Sequence, residues 1–182
     1  INSVMGILNG TTNYMLTRMS QEGISYADVL ADAQRLGYAE ADPTADVEGH
    51  DAAAKIALLS SMVFNSRVNV KDVYTNGIST ISPVDFERAR AMGYVIKLLA
   101  IGRRAASGID VRVHPAMLPA SHPMASVNGV YNAVYVEGEP IGDVMFFGQG
   151  AGEGATASAV MGNIIDAARC IDEGSPVGFG CT

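Results

Sequence analysis

The stretch GVYNAVYVEGEPIGDVMFFG, Gly129–Gly148, decides the fold. Two runs rich in Val, Tyr, Ile and Phe flank Glu137-Gly138-Glu139-Pro140, a cluster of residues that break strands and form turns. The pattern predicts a β-hairpin. Upstream, YVIKLLAIGR (Tyr94–Arg103) and Ile109–His114 are separated by Ala-Ser-Gly and predict a second hairpin. The first half of the chain reads as helices. Ser25 with Asp28 resembles a capping box, Val29, Leu30, Ala33 and Leu36 recur at helical spacing, and Gly37 supplies a stop. A second helix is expected from about Asp51, running AAAKIALLSSMVF with Ile56, Leu59 and Val63 on its buried face. Ser82-Pro83 opens a third over VDFERARAM, and a helix of small residues, Thr156–Arg169, follows the last hairpin. Helices and hairpins in segregated runs predict an α+β fold. Its sheet should be mixed but largely antiparallel, with helices packed on one face.

At 182 residues the chain suits about one domain, and no internal repeat interrupts it. Hydrophobic residues make up 48%, enough for a core without metal or disulfide staples. Charged residues are only 17%, against about 25% in average usage, which predicts that part of the surface is covered by another domain or subunit. A net charge of −7 argues against nucleic acid as the main partner. Val113–Val136 is uncharged and long enough to span a bilayer but carries Pro115, Pro119, Pro123 and two asparagines, so no membrane span is expected. Cys170 and Cys181 form neither a disulfide framework nor a CxxC clip, and a reducing, cytoplasmic setting is expected. The opening INSVMGILNG has no charged lead-in of a signal peptide, and reads as a piece of a larger protein.

The densest polar cluster runs from Gly37 to Lys55, GYAEADPTADVEGHDAAAK. Glu40, Asp42, Asp46, Glu48 and Asp51 fall within twelve residues of a chain otherwise poor in charge. Asp51 and Lys55 are four apart, on one face of the expected helix. A carboxylate there can orient the ammonium for proton transfer, although such pairs are more often plain surface contacts. Several carboxylates around a pocket suit an ammonium ligand or a hard cation. Two further segments stand out. Gly6–Tyr14 (GILNGTTNY) reads as a strand ending in a helix that opens at Thr11 or Thr12, either a site for an anionic group or only an N-cap. Gly148–Ala157 (GQGAGEGATA) is a glycine-rich loop entering a helix, open to a flat or anionic ligand. His50, His114 and His122 have no metal-ligand spacing and read as structural or surface residues.

At GILNGTTNYML, GYAEADPTADVEGHDAAAKIALL and GQGAGEGATASAV, in that order, the chain resembles the homoserine dehydrogenases, specifically their substrate-binding catalytic domain. The resemblance runs from Ile1 to about Arg169. It implies that residues 1–182 are the substrate-binding and dimerisation domain of a larger enzyme whose nucleotide-binding domain, with a second catalytic lysine, lies elsewhere. It implies NAD(P)-dependent interconversion of L-aspartate 4-semialdehyde and L-homoserine, in threonine and methionine biosynthesis, by a homodimer. Glu40 and Asp46 would hold the amino group of homoserine, with Tyr38, Gly10 and Thr11 lining the same site. Lys55 would transfer the proton at the substrate oxygen, positioned by Asp51. Gly150, Ala151, Gly152 and Thr156 would face the nicotinamide of NADP or NAD, which the absent domain would mainly bind. Ala155, where the family usually has proline, and Asn163, where aspartate is frequent, depart from the pattern on that cofactor side. Two other functions compete: a binding or dimerisation module without activity of its own, and a carboxylate-metal hydrolase built on Asp42, Asp46, Glu48 and Asp51.

Overall fold

The computed structural model describes residues 1–172 and 174. The chain divides into two compact units, 1–148 and 149–182.

The first unit begins with strand β1 (Ser3–Ile7), whose side chains alternate between two apolar clusters. At Asn9 the chain leaves the sheet. The Asn9 side chain accepts from the Thr12 amide and caps α1 (Gly10–Glu22), which ends at Gly23 in the left-handed region (φ 68°). Helix α1 thus starts just before the expected Thr11 or Thr12, because the capping oxygen comes from Asn9 and not from a threonine. Ser25 caps α2 (Tyr26–Arg35) as its spacing with Asp28 predicts, and Gly37 follows at φ 76°. A short helix α3 (Thr44–Val47), which no periodicity announces, precedes α4 (His50–Phe64). Strand β2 (Tyr74–Thr75) is shorter still. Ser82 and Asp85 form the capping box of α5 (Pro83–Ala91).

The hairpin of β3 (Tyr94–Ala105) and β4 (Gly108–Pro119) pairs in unbroken antiparallel register from Tyr94–Pro119 to Ala105–Gly108. Both strands outrun their expected ends, since continuous cross-strand pairing carries Pro115 and Pro119 into the ladder. A second hairpin joins β5 (Tyr131–Gly138) to β6 (Gly142–Gln149). The sheet order is β2-β4-β3-β1-β5-β6, with β2–β4 parallel and β1 antiparallel to both β3 and β5. The α+β class with a mixed, largely antiparallel sheet is therefore the observed one.

Helices α1, α2, α4 and α5 share one core with the sheet, in which Met15, Met19, Val29, Ile56 and Phe86 meet Val4, Leu98, Ala100 and Val113. The opposite face, with Ile7, Leu99, Leu118 and Tyr135, is covered by Met124 and Val127 around a 3-10 turn at Pro123–Ser126. Gly77 lets the chain pass close under the helical layer. A Cβ there would stand 2.2 Å from the Val47 carbonyl oxygen and 2.5 Å from the Glu48 Cα.

The second unit holds α6 (Glu153–Asp172), longer at both ends than the expected Thr156–Arg169. The preceding glycines place Gly152 at φ 109°, and the Thr156 amide already donates to the Gly152 carbonyl, so Thr156 lies inside the first turn. Cys170 is buried, and Cys181 lies outside the described residues. Among the described residues no helix is long and apolar enough to cross a membrane.

Candidate functional site

The end of β1 and the N-termini of α1 and α4 converge on one polar cluster. Its hub is Asn9, a residue only 7% exposed. One amide hydrogen goes to Asp46 Oδ1 at 2.7 Å, the other to Asp51 Oδ2 at 3.0 Å. The Asn9 oxygen accepts from the Thr12 amide (2.9 Å) and the Thr12 hydroxyl (3.1 Å). A single side chain therefore caps α1 and fixes two acidic side chains from different segments.

Asp51, in the first turn of α4, also receives Lys55 Nζ at 2.7 Å on the same Oδ2. Lys55 donates again to the Leu8 carbonyl at 3.1 Å. An ammonium has three hydrogens, so one is left without a partner among the described residues. The Lys55 side chain is 49% exposed and that of Asp51 31%. An exposed helix pair of this kind is worth about 0–1 kcal/mol to stability, too little to explain three converging segments. What the pair achieves is geometric: the ammonium is aimed by two acceptors and still open to solvent on one side.

Across the start of α1, the Thr11 hydroxyl donates to the Tyr38 carbonyl at 2.7 Å, and the Tyr14 ring meets the Tyr38 ring edge-on at 4.9 Å. These contacts seat the 38–41 loop beside Gly10, where a Cβ would stand 2.8 Å from the Val130 carbonyl oxygen. Glu40 is exposed, and its carboxylate has no protein partner among the described residues, while its backbone carbonyl accepts from Gln34. Of the residues singled out in sequence, the structure links Asp46, Asp51 and Lys55 through Asn9, and Thr11 to Tyr38. It makes no bond between Glu40 and that cluster.

The remaining acids have structural work. Asp42 accepts from both the amide and the hydroxyl of Thr44, which hold its carboxyl below the usual range. Glu48 packs its carboxylate against Gly77. Among the described residues no group of three His, Cys, Asp or Glu side chains could hold a metal ion, so the hydrolase alternative has no ligand set there. His114 donates to the Pro115 carbonyl and His122 accepts from the Met124 amide, both structural bonds. In the second unit, Gly150, Ala151 and Gly152 form the loop before α6, and Gly152 has open space where a Cβ would be.

The homoserine dehydrogenase family model matches residues 1–165. The chain belongs to the homoserine dehydrogenase family. It is 58% identical over 174 residues to the homoserine dehydrogenase of Corynebacterium glutamicum, covering 93% of this chain and 39% of that protein. For the enzyme of Mycobacterium tuberculosis the identity is 56% over 171 residues, covering 91% and 39%. Among solved structures, the homoserine dehydrogenase of Thiobacillus denitrificans superposes with a TM-score of 0.92 at 46% identity, over 95% of this chain and 40% of the other. A hyperthermophilic archaeal homoserine dehydrogenase solved with NADPH matches at TM-score 0.74 and 27% identity, over 92% and 47%. The chain thus spans about two fifths of the curated relatives it matches.

Asn9 is the functional candidate that sequence reasoning missed. Its signal was present: the residue follows a buried strand and precedes Gly-Thr-Thr, the position of an N-cap. What no local pattern could carry is the second half of its role, bonds to Asp46 and Asp51 some forty residues away.

Proposed function

We propose that this chain is the substrate-binding and dimerisation domain of an NAD(P)-dependent homoserine dehydrogenase, interconverting L-homoserine and L-aspartate 4-semialdehyde in threonine and methionine biosynthesis. The observation that carries the reading is the Lys55 ammonium, aimed by Asp51 and the Leu8 carbonyl with one hydrogen left over. That free position suits the substrate oxygen.

In the oxidative direction the alcohol loses its hydroxyl proton and a hydride from the same carbon. A nicotinamide cofactor, when bound, would supply the hydride acceptor. Lys55 takes the proton on Nζ as a neutral amine, or in reverse donates it to the aldehyde oxygen and stabilises the charge that develops there. Asp51 holds the amine in line and offsets its positive charge. Glu40, with a free carboxylate, and Asp46 bind the α-ammonium of homoserine at the other end. Tyr38, Gly10 and Thr11 line the space between. Gly150, Ala151, Gly152 and Thr156 would take the nicotinamide side of the cofactor, and the open backbone at Gly152 suits close approach of a flat ring. The NADPH complex of the archaeal relative makes NADP the first cofactor to test, with NAD second. The domain that binds most of the cofactor is not among these residues, so the 182-residue chain alone is expected to transfer no hydride.

A homodimer suits the sheet. Strand β6 lies at its edge and exposes Phe146 and Phe147, with Tyr131 stacked on Phe147 at 5.0 Å. An apolar edge of this kind invites pairing with a second copy in the cytoplasm, where we place the enzyme. The deciding test is homoserine-dependent reduction of NADP or NAD by the full-length protein. Turnover abolished by Lys55→Ala with homoserine binding retained supports the reading. No homoserine-dependent reduction with either cofactor refutes it.

A further inference from the structure

Lys97 is 3% exposed, in the middle of β3. Ile96 and Leu98 face the helical core, so Lys97 points to the other side of the sheet. It lies beyond the last β1–β3 pair, Gly6–Ala100, where β1 has already turned away into α1. Its Nζ donates to the Val127 carbonyl, to Asn128 Oδ1 at 3.0 Å and to Asn13 Oδ1 at 3.3 Å. Among the described residues it has no carboxylate partner. Asn13, itself 2% exposed, directs its side-chain nitrogen at the carbonyls of Val127, Gly129 and Tyr131. Thr17, one turn along α1, accepts from the Gly129 amide and donates to the Asn13 carbonyl. The amide and the ammonium together make six contacts to five oxygens, the Val127 carbonyl accepting from both, and the three from lysine use all three hydrogens of the charged form.

Burying a lone ammonium costs stability, and among the described residues no ion pair offsets the cost. What the ammonium secures is position. It ties β3 to segment 127–131 and to the first turns of α1. The same segment sets the Val130 carbonyl against Gly10, leaving no room for a side chain.

We propose that Lys97 is a positioning residue for the substrate half-site, holding segment 127–131 and the start of α1 so that Gly10 and Thr11 keep their place at the homoserine pocket. The inference rests on the proposed function for the identity of the ligand. It assigns Lys97 no contact with substrate and no proton transfer.

The test uses Lys97→Met, which keeps the stem and removes the donors, and the milder Asn128→Ala at an exposed position. Both are made in the full-length enzyme. Lys97→Met should raise the KM for homoserine about 5- to 20-fold and Asn128→Ala about 2- to 4-fold, with the KM for the nicotinamide cofactor and kcat changed less than 2-fold, a loss of uniform substrate binding. A lysine that is merely structural would lower stability and leave that split absent. An unchanged homoserine KM in either folded variant, or an equal rise in both KM values, overturns the proposal. Should Lys97→Met fail to fold, Asn128→Ala decides alone. Amide exchange without substrate separates this from the functional reading. Faster exchange at Thr12 and Gly129, with β3–β4 amides still protected, supports the positioning link even in an enzyme that ignores homoserine; unchanged exchange at both overturns it.

Discussion

Asn9 joins helix capping to the arrangement of the acidic site, and three substitutions separate the two roles. Asn9→Ala removes the cap and both bonds to carboxylates. Loss of an N-cap costs about 1 kcal/mol. Each amide–carboxylate bond contributes about 1.5–3 kcal/mol when buried, and about 1 kcal/mol at the partial exposure of Asp46 and Asp51. The expected destabilisation is therefore about 3 kcal/mol. Asn9→Ser keeps an oxygen for the Thr12 amide and loses only the bonds to Asp46 and Asp51, for about 2 kcal/mol. Asn9→Asp keeps the cap as well but sets a third carboxylate against two that now lie 2.7 and 3.0 Å from the amide nitrogen. Its own carboxyl, or that of a neighbour, should be pushed up, so the folded state of this variant binds more protons than the unfolded chain. Its loss of stability should consequently shrink as the pH falls from 7 toward 5. Urea unfolding followed by circular dichroism measures all three, and kcat in the full-length enzyme should fall with Asn9→Ser because Asp51 no longer holds Lys55 in one geometry. An Asn9→Ser variant as stable and as active as the parent would refute the reasoning.

Other perturbations test separate parts of the site. Lys55→Ala should abolish turnover and leave homoserine binding within about 3-fold; equal losses in both would remove the proton-transfer role. Glu40→Gln should raise the KM for homoserine at least 10-fold with a small effect on kcat, and an unchanged KM would take Glu40 out of the site. Gly77→Ala drives a Cβ into the backbone of Val47 and Glu48 and should cost about 1–3 kcal/mol in chemical denaturation. For Lys97, burial pushes the ammonium down to about 8, from 10.5 in the unfolded chain. Between those values the unfolded chain binds the extra proton, so stability should rise with pH, by about 1–3 kcal/mol across the window, and stay flat below it. Tyr135, raised to about 12 by Asp143, opposes this only above pH 10. Denaturation curves between pH 8 and 10 that rise equally in the parent and in Lys97→Met would show that another group is responsible.

How much was legible in the sequence follows from how local each determinant is. Caps at Ser25 and Ser82 act within three residues, and both helices begin where those residues predict. The two hairpins were readable because turn formers interrupt β-rich runs, although their lengths were not, since pairing partners decide where a strand stops. Strand β2 and helix α3 escaped detection because each is too short to show a period. At the site, the i, i+4 spacing of Asp51 and Lys55 gave their contact directly. The bond from Thr11 to the Tyr38 carbonyl spans 27 residues and involves backbone, which no side-chain pattern announces. Lys97 was unreadable for a further reason: a lone lysine within an apolar strand shows no partner in sequence, because its partners are oxygens of a loop thirty residues on and of Asn13 in α1.

Asp46 and Asp51 are both held by a neutral amide, and that choice has a physical reason. Asp51 already pairs with Lys55, and a cation in place of Asn9 would offset carboxylate charge that, under the proposed function, serves the substrate ammonium and Lys55. An asparagine avoids this. The Asn9 amide orients Asp46 and Asp51 by two directional bonds while leaving their net charge intact, and its oxygen draws rigidity from the start of α1. Asn13 repeats the device one turn later, where its amide orders three carbonyls of segment 127–131 and accepts from Lys97. The two asparagines lie on successive turns, and the Asn13 backbone N–H donates to the Asn9 carbonyl at 3.2 Å. A displacement of α1 therefore disturbs both networks together. This coupling distinguishes a frame from two independent contacts: the effects of Asn9→Ser and Asn128→Ala on homoserine affinity should be non-additive, with a coupling above about 0.5 kcal/mol in a double-mutant cycle. Strict additivity would mean that the segment and the acidic cluster are positioned separately.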